Sequence, residues 1–269
     1  MAGFSADWLA LREPADHAAR SVRVTRTALD ALPCDAALSI LDLAAGTGSN
    51  LRYLTNYFRA AGADSRVRPS WLLVDHDSAL LDQVPPTPGV QTRCLDLATL
   101  GDREIFDARA LVTASALLDL VSGPWLRALA ARCADSGAAV LFALNYDGRI
   151  SCSPEDPGDR PVVALVNEHQ RTDKGFGPAL GPAATDCAER CLADRGYRVT
   201  RGCSDWALPP ASHDLQRRLI DGWAQAATAI APSQAAVIDG WRHRRLAHVD
   251  ANRSHIIVGH QDVGGILKS

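Results

Sequence analysis

The sequence predicts an α/β protein built on a parallel sheet with helices on both faces. Three observations predict it. Short apolar runs alternate with helix-period segments along residues 38–144. Those runs are continuously apolar, as in strands covered on both sides. The first of them ends in the turn Ala44-Ala45-Gly46-Thr47-Gly48, which opens straight into a helical pattern.

The elements follow in order. Residues 6–32 read as one helix, with Trp8, Leu9, Leu11, Ala15, Ala18, Val22 and Leu29 near a 3.6 period and Pro33 closing it. Residues 39–43 are a buried strand, and 50–61 a helix with Leu51, Leu54, Tyr57 and Phe58 on one side. A second strand, 71–74, ends at Asp75. Residues 78–84 are a short helix broken by Pro85-Pro86, and 90–95 a third strand ending at Asp96. A fourth strand spans 108–113, a helix 117–133 and a fifth strand 138–144. Residues 145–182 are rich in glycine and proline and read as a long irregular insertion, with a short strand at 162–166 inside it. Helix 183–195, strand 197–206, helices 213–230 and 234–250 and strand 255–259 complete the chain. Ser233 is the expected N-cap of the last helix.

Composition narrows the function. The 269 residues carry 28 Lys+Arg against 31 Asp+Glu, a formal charge of −3. That balance points away from nucleic acid, whose phosphates need a basic face. Charged residues at 22% and hydrophobic ones at 47% exclude a disordered chain. The 7 cysteines are odd in number and lack metal-ligand spacing, as for buried thiols of a reduced compartment. No apolar run reaches the roughly 18 residues of a membrane span, and the first residues lack the pattern of a secretory signal. A cytoplasmic protein with no metal site and no membrane is therefore expected, as a monomer or homodimer.

The chemistry gathers at the strand ends. Glycines at 46 and 48 allow close backbone approach to a ligand, and the helix that follows offers free N–H groups. Asp75 can accept from the two hydroxyls of a ribose, or cap the short helix after it. Asp96 can accept from an exocyclic adenine amine, or serve as a turn residue. Asp42 is expected to hold the turn by accepting backbone N–H bonds. The dinucleotide fingerprint fails because Leu51 stands where its third glycine belongs, and no phosphate-binding lysine follows the turn. A ligand with ribose and adenine but no phosphate fits better.

Leu41-Asp42-Leu43-Ala44-Ala45-Gly46-Thr47-Gly48, with Val74-Asp75 and Leu95-Asp96-Leu97, resembles the class I S-adenosylmethionine-dependent methyltransferases. Ala44 departs from the family pattern, which has glycine there. The resemblance implies a Rossmann-like seven-stranded sheet with its last strand antiparallel, plus capping insertions. It implies S-adenosyl-L-methionine as cofactor, contacted by Ala44, Ala45, Gly46, Thr47, Gly48 and Asn50, by Asp75 and His76 at the ribose, by Asp96 and Leu97 around the adenine, and by Thr113 at the sulfonium. Family members often hold the methionine carboxylate with a basic residue of the N-terminal helix. Arg12, Arg20, Arg23 and Arg26 are available, and Arg20 is the residue chosen.

The family assigns substrate contacts to segments after strands four and five. Ser115, Asp119 and Asn145 lie there, and Arg171 and Lys174 suit an anionic substrate group. Asp119 is equally placed to serve as a helix N-terminal residue favoured by the dipole. His169 is the first choice of general base and Tyr146 the second. The pairs His243/His248 and His255/His260 are read as structural. The chain is expected to be one domain, with a helical cap (1–35), a cofactor-binding half (36–144), an insertion (145–182) and a C-terminal half (183–269) that includes a helix pair (207–252). The expected activity is methyl transfer to O or N of a small molecule. An RNA or protein methyltransferase would show a basic groove. A non-catalytic nucleoside-binding module that dimerises through the helix pair would expose Trp223 and Trp241.

Overall fold

Strand and helix alternate from Ser39 onward in a computed structural model that describes residues 5–30, 32, 38–60 and 69–267. Five strands run parallel: β1 (Ser39–Leu43), β2 (Ser70–Asp75), β3 (Val90–Cys94), β4 (Leu111–Ser115) and β5 (Ala139–Ser153). A C-terminal strand, β8 (His255–Leu267), lies antiparallel between β5 and β6 (Tyr197–Cys203). The order across the sheet is β3-β2-β1-β4-β5-β8-β6. An eighth short strand, β7 (Trp206–Leu208), pairs with the far end of β8. Chain order reverses between β1 and β4, and the crevice beyond the strand ends at such a reversal is where open α/β sheets bind ligands.

Alternate residues of the strands enter two cores. Leu41, Leu43, Val74, Val112 and Phe142 pack under α5 (Gly123–Asp135) and α7 (Ala184–Ala193). Ile40, Leu73, Leu111 and Leu141 pack under α2 (Val22–Leu29), α3 (Ser49–Ala60) and α4 (Ser78–Leu81). A third core lies where β5, β7 and β8 run on past the sheet. There Tyr146, Trp206, Ile256 and Val258 meet α6 (Asp159–His169), α8 (His213–Ile230) and α9 (Ala235–Asp250), with α1 (Ala6–Ala19) against its edge. Trp223 and Trp241 are buried in this core. No helix of the described residues is long and apolar enough to cross a membrane.

Several elements differ from the sequence reading, each for a physical reason. The helix read over 6–32 breaks at Arg20, which is extended at ψ 134°, and Ser21 caps α2 by accepting from Val24 N. The break is held from outside, because Ser21 N donates to Asp262 of β8. Pro33, Cys34 and Ala61 lie outside the described residues. The run 162–166 is helix, not strand: Val162 and Val166, four apart, bury on one face of α6. Residues 117–122 form a turn, and α5 starts at Gly123 with Ser122 as N-cap, so Asp119 precedes the helix. The segment 145–149 continues β5, paired to β8 through two register shifts. The strand read over 197–206 is two strands, parted at Ser204-Asp205. Ser233 sits in a short 3-10 turn ahead of α9 and makes no cap bond. Most of the described cysteines are buried thiols, as expected: Cys133, Cys152, Cys187 and Cys191 are buried, and Cys94 and Cys203 are exposed.

Candidate functional site

β1 carries Asp42 and the glycine-bearing turn to the crevice. Ala44, Gly46 and Gly48 all take left-handed backbone, with φ of 53°, 53° and 81°. A Cβ on Gly46 would stand 3.0 Å from Leu9 Cδ1 of α1, so glycine there avoids both left-handed strain and a tight contact. Alanine at 44 bears a strain of roughly 1–2 kcal/mol, partly offset by the smaller unfolded-state entropy it has relative to glycine, roughly 0.5–1 kcal/mol. Ala44→Gly is therefore expected to raise stability by about 0.5 kcal/mol. The check is the urea midpoint at constant m-value, and a lower midpoint would refute the strain.

Asp75, at the end of β2, is buried. Its Oδ2 accepts from Gly46 N at 2.8 Å and its Oδ1 from Asp77 N at 3.0 Å. Each oxygen keeps a second lone pair. The cap of α4 is Asp77, which accepts from Ala79 N at 2.9 Å, so Asp75 is not the cap. His76 Nδ1 stands 3.1 Å from Asp75 Oδ1 with its ring half exposed. Asp96 is exposed and its Oδ1 accepts from Ala98 N at 2.8 Å, which makes it a turn residue with one oxygen spare. Leu97 buries its side chain, and its carbonyl accepts from Trp125 Nε1 at 2.6 Å.

A buried polar chain runs behind the turn. Arg20, 5% exposed, donates from Nη1 to Asn50 Oδ1 at 2.8 Å. Asn50 Nδ2 donates to Asp42 Oδ1 at 2.8 Å and to Thr113 Oγ1 at 3.0 Å. Thr113 in turn donates to Leu141 O at 2.7 Å. Asp42 thus holds a side-chain amide rather than the backbone N–H groups expected of it. Burial pushes its carboxyl up to about 7, against the pull of Asn50 and Arg20. Three atoms of this chain are buried without a hydrogen-bond partner: Nε and Nη2 of Arg20 and Oδ2 of Asp42. The nearest charge on the other side of Arg20 is Asp262, 3.7 Å from Nε, and its guanidinium carbon lies 4.3 Å from the Tyr53 ring centre.

The helix α1 lies along the turn with a polar stripe. Glu13 binds Arg52, whose Nη1 also donates to Thr47 O at 2.6 Å, and His17 Nε2 lies 3.1 Å from Ser49 O and Oγ. The Arg52 hydrogen bond holds the Glu13 carboxyl below the ordinary range. Leu9, Glu13 and His17 repeat every fourth residue, a spacing visible in the sequence. An apolar-only reading of the helix passes over it.

A second cluster lies beyond β4 and β5. Asp119 and Asn145 are both buried, and Oδ1 of each has no partner. Asn145 Nδ2 donates to Phe142 O at 3.0 Å and Gln261 O at 2.9 Å, which fixes the amide orientation. Burial pushes Asp119 up to about 6. Tyr146 donates from its hydroxyl to Asn167 Oδ1 at 2.8 Å, and burial holds its pKa well above the ordinary phenol value. Its ring centre is 6.2 Å from that of His260, which is 5.0 Å from Trp206. His260 Nδ1 is 3.1 Å from Val258 O, and burial pushes the imidazole down to about 4. Arg12 of α1 lies 4.9 Å from the Trp206 ring centre and binds Asp16 through Nε and Nη2. His260, set aside as structural in the sequence, is a wall of this cluster; β-pairing with Tyr146 put it there.

Ser115 ends β4, half-buried. His169 and Lys174 come together on each other, while Arg171 turns back to the helix. Lys174 Nζ donates to His169 O at 3.0 Å and Thr172 Oγ1 at 2.8 Å, and Arg171 Nη1 to Asn167 O at 2.9 Å. Burial, then the Lys174 charge, lowers the His169 pKa.

No protein-family model matches the chain, and no curated protein matches it. Solved structures do. A cyclopropane-fatty-acyl-phospholipid synthase-like protein from Lactobacillus casei is 15% identical with a TM-score of 0.56, over 99% of this chain and 95% of that one. The cyclopropane synthase MmaA2 from Mycobacterium tuberculosis is 12% identical with a TM-score of 0.50, over 97% and 94%. The YcgJ protein from Bacillus subtilis is 14% identical with a TM-score of 0.50, over 91% and 98%. With five parallel strands, an antiparallel penultimate strand and a glycine-bearing turn at the strand-order reversal, the chain has the Rossmann-like fold of the class I S-adenosylmethionine-dependent methyltransferases.

Proposed function

We propose that the chain binds S-adenosyl-L-methionine at this turn and transfers its methyl group to a small molecule. The observation that carries the reading is the set of unpartnered buried atoms behind the turn. Arg20 offers two N–H-bearing nitrogens and Asp42 one oxygen, with Asn50 between them. A buried donor or acceptor left unmade is costly, so a ligand that supplies both partners is strongly favoured. A carboxylate for Arg20 and an ammonium for Asp42 are the two ends of an amino acid. That pairing suits a methionine moiety and has no use for a pyrophosphate. Asp75, with a free lone pair on each oxygen, suits a ribose beside it.

When bound, the cofactor supplies an activated methyl group on a sulfonium. The chain then has chiefly to orient the acceptor, and orientation alone lowers a barrier by up to roughly 7–11 kcal/mol. Asn50 and Thr113 stiffen the floor of the crevice, and Leu9 with the α1 stripe excludes water above the turn. Tyr146 keeps its proton and serves as a donor rather than a base. His169, the general base expected from the sequence, has its pKa lowered by burial and sits in a cluster of its own with Thr172 and Lys174.

Calorimetry with S-adenosylmethionine, S-adenosylhomocysteine and NAD tests the reading; binding of NAD alone refutes it. Asp75→Ala is expected to cost roughly 1–3 kcal/mol of cofactor affinity, as for an acceptor that bears charge. An unchanged affinity would remove Asp75 from the ribose. The non-catalytic module that dimerises through the helix pair loses its support, since Trp223 and Trp241 are buried.

A further inference from the structure

We propose that the edge formed by Asp119, Asn145, Tyr146, Trp206 and His260 is the acceptor site of the methyl-transfer reading, on which this inference rests, and that its substrate is a small amine. Two buried oxygens there, Asp119 Oδ1 and Asn145 Oδ1, have no donor. The Asn145 amide cannot turn to relieve this, because its Nδ2 is committed to two carbonyls. Asp119 lies in the turn after β4 and Asn145 within the prolonged β5, next to β4 in the sheet. Asp262 ties this edge to the cofactor side, accepting from Leu144 N at 2.8 Å while facing Arg20 at 3.7 Å.

The ligand these oxygens select must bring at least two donors, one of them toward a carboxylate. A primary or secondary ammonium does so; an alcohol brings one donor, and a carboxylate or phosphate brings none. The remaining walls agree. Tyr146 adds an aromatic ring of the kind that attracts a cation, and the Trp206 ring already holds one, Arg12, 4.9 Å from its centre. His260 is held neutral, with Nδ1–H directed at Val258 O, so it adds no repulsive charge. The nearby cations are held by carboxylates or carbonyls: Arg12 Nε and Nη2 by Asp16, Arg149 by Asp147 and Asp205, and Arg171 Nη1 by Asn167 O.

The chemistry balances. The ammonium gives one proton to the Asp119 carboxylate. The nitrogen lone pair so freed forms the new N–C bond as the S–C bond of the donor breaks, and that bonding pair leaves with sulfur. The products are an N-methylammonium, a neutral thioether and protonated Asp119. With its pKa pushed up to about 6, Asp119 is ionised at neutral pH yet basic enough to take a proton in the site.

The test uses the full chain saturated with S-adenosylmethionine and three probes of one shape: phenethylamine, phenethyl alcohol and phenylacetate. Binding is followed by calorimetry and methyl transfer by mass spectrometry. The amine is expected to bind at least about tenfold more tightly than the other two and to gain a methyl on nitrogen. Asp119→Asn is expected to abolish the preference and the transfer while cofactor affinity stays within about twofold. Should that variant not fold, Asn145→Ser is expected to erode the same preference. Equal binding of amine and alcohol, no binding of the amine up to its solubility limit, or a preference that survives in Asp119→Asn overturns the amine assignment. Failure of S-adenosylmethionine to bind the wild type overturns the earlier reading instead.

Discussion

Asp262→Ala is expected to destabilise the ligand-free protein by roughly 3–5 kcal/mol, the cost of leaving two buried N–H groups without their charged acceptor. Asp262 is fully buried on β8. Its Oδ2 accepts from Ser21 N and its Oδ1 from Leu144 N, both at 2.8 Å, and Arg20 Nε stands 3.7 Å away. One carboxylate therefore fixes the break between α1 and α2, the left-handed turn of Leu144 (φ 55°) in β5, and the cation behind the glycine-bearing turn. Removal leaves two N–H groups without their acceptor and Arg20 without its facing charge in a dry interior. For a domain of this size the loss corresponds to a drop in melting temperature of about 10 °C. Thermal and urea unfolding check it. A change below about 1 kcal/mol would show that the three segments hold their positions without Asp262.

The parts of the site that were legible in the sequence are those made by residues close together in the chain. Gly46 and Gly48 could be read because a strand, a turn and a helix follow one another within a dozen positions. Asp75 could be read because it ends an apolar run. What stayed hidden depends on partners far apart. Asp262 sits in Gln261-Asp262-Val263, a plain β pattern, and its bond to Ser21 spans 241 positions. His260 was dismissed on its spacing to His255, whereas its surroundings come from Tyr146 across the ladder and Trp206 on β7. Asn145-Tyr146-Asp147-Gly148-Arg149 has the composition of a loop, and only pairing with β8 keeps it extended. Val162 to Val166 has strong strand propensity, yet the partner available to it is a helical groove against α8. Asp96 shows the converse: local turn chemistry, an Asp accepting from the residue two ahead, was present in the sequence as an alternative.

Arg20→Met is expected to weaken binding of S-adenosylmethionine by roughly 2–3 kcal/mol, about 30- to 150-fold, through loss of charge-assisted hydrogen bonds. The free protein should suffer less. In it, Arg20 makes one hydrogen bond, to Asn50, stacks on Tyr53, faces Asp262 across 3.7 Å, and leaves Nε and Nη2 without hydrogen-bond partners. Methionine can keep the apolar contact with Tyr53 and removes two unsatisfied donors, at the cost of an orphaned Asn50 Oδ1 and of the charge facing Asp262, which keeps its two N–H donors, so a stability loss of about 1–2 kcal/mol is expected. Such a split, larger on binding than on folding, separates a ligand-holding cation from a structural one. A stability loss as large as that of Asp262→Ala with unchanged affinity would assign Arg20 to the fold alone. Arg20→Lys sharpens the distinction, since a point charge cannot reproduce a planar fork aimed at a carboxylate. The comparison of S-adenosylmethionine with S-adenosylhomocysteine completes the argument. Both carry the same amino-acid end, so a residue that grips the carboxylate must weaken the two equally. A gain confined to S-adenosylmethionine would place Arg20 beside the sulfonium, where two cations repel, and undo the assignment.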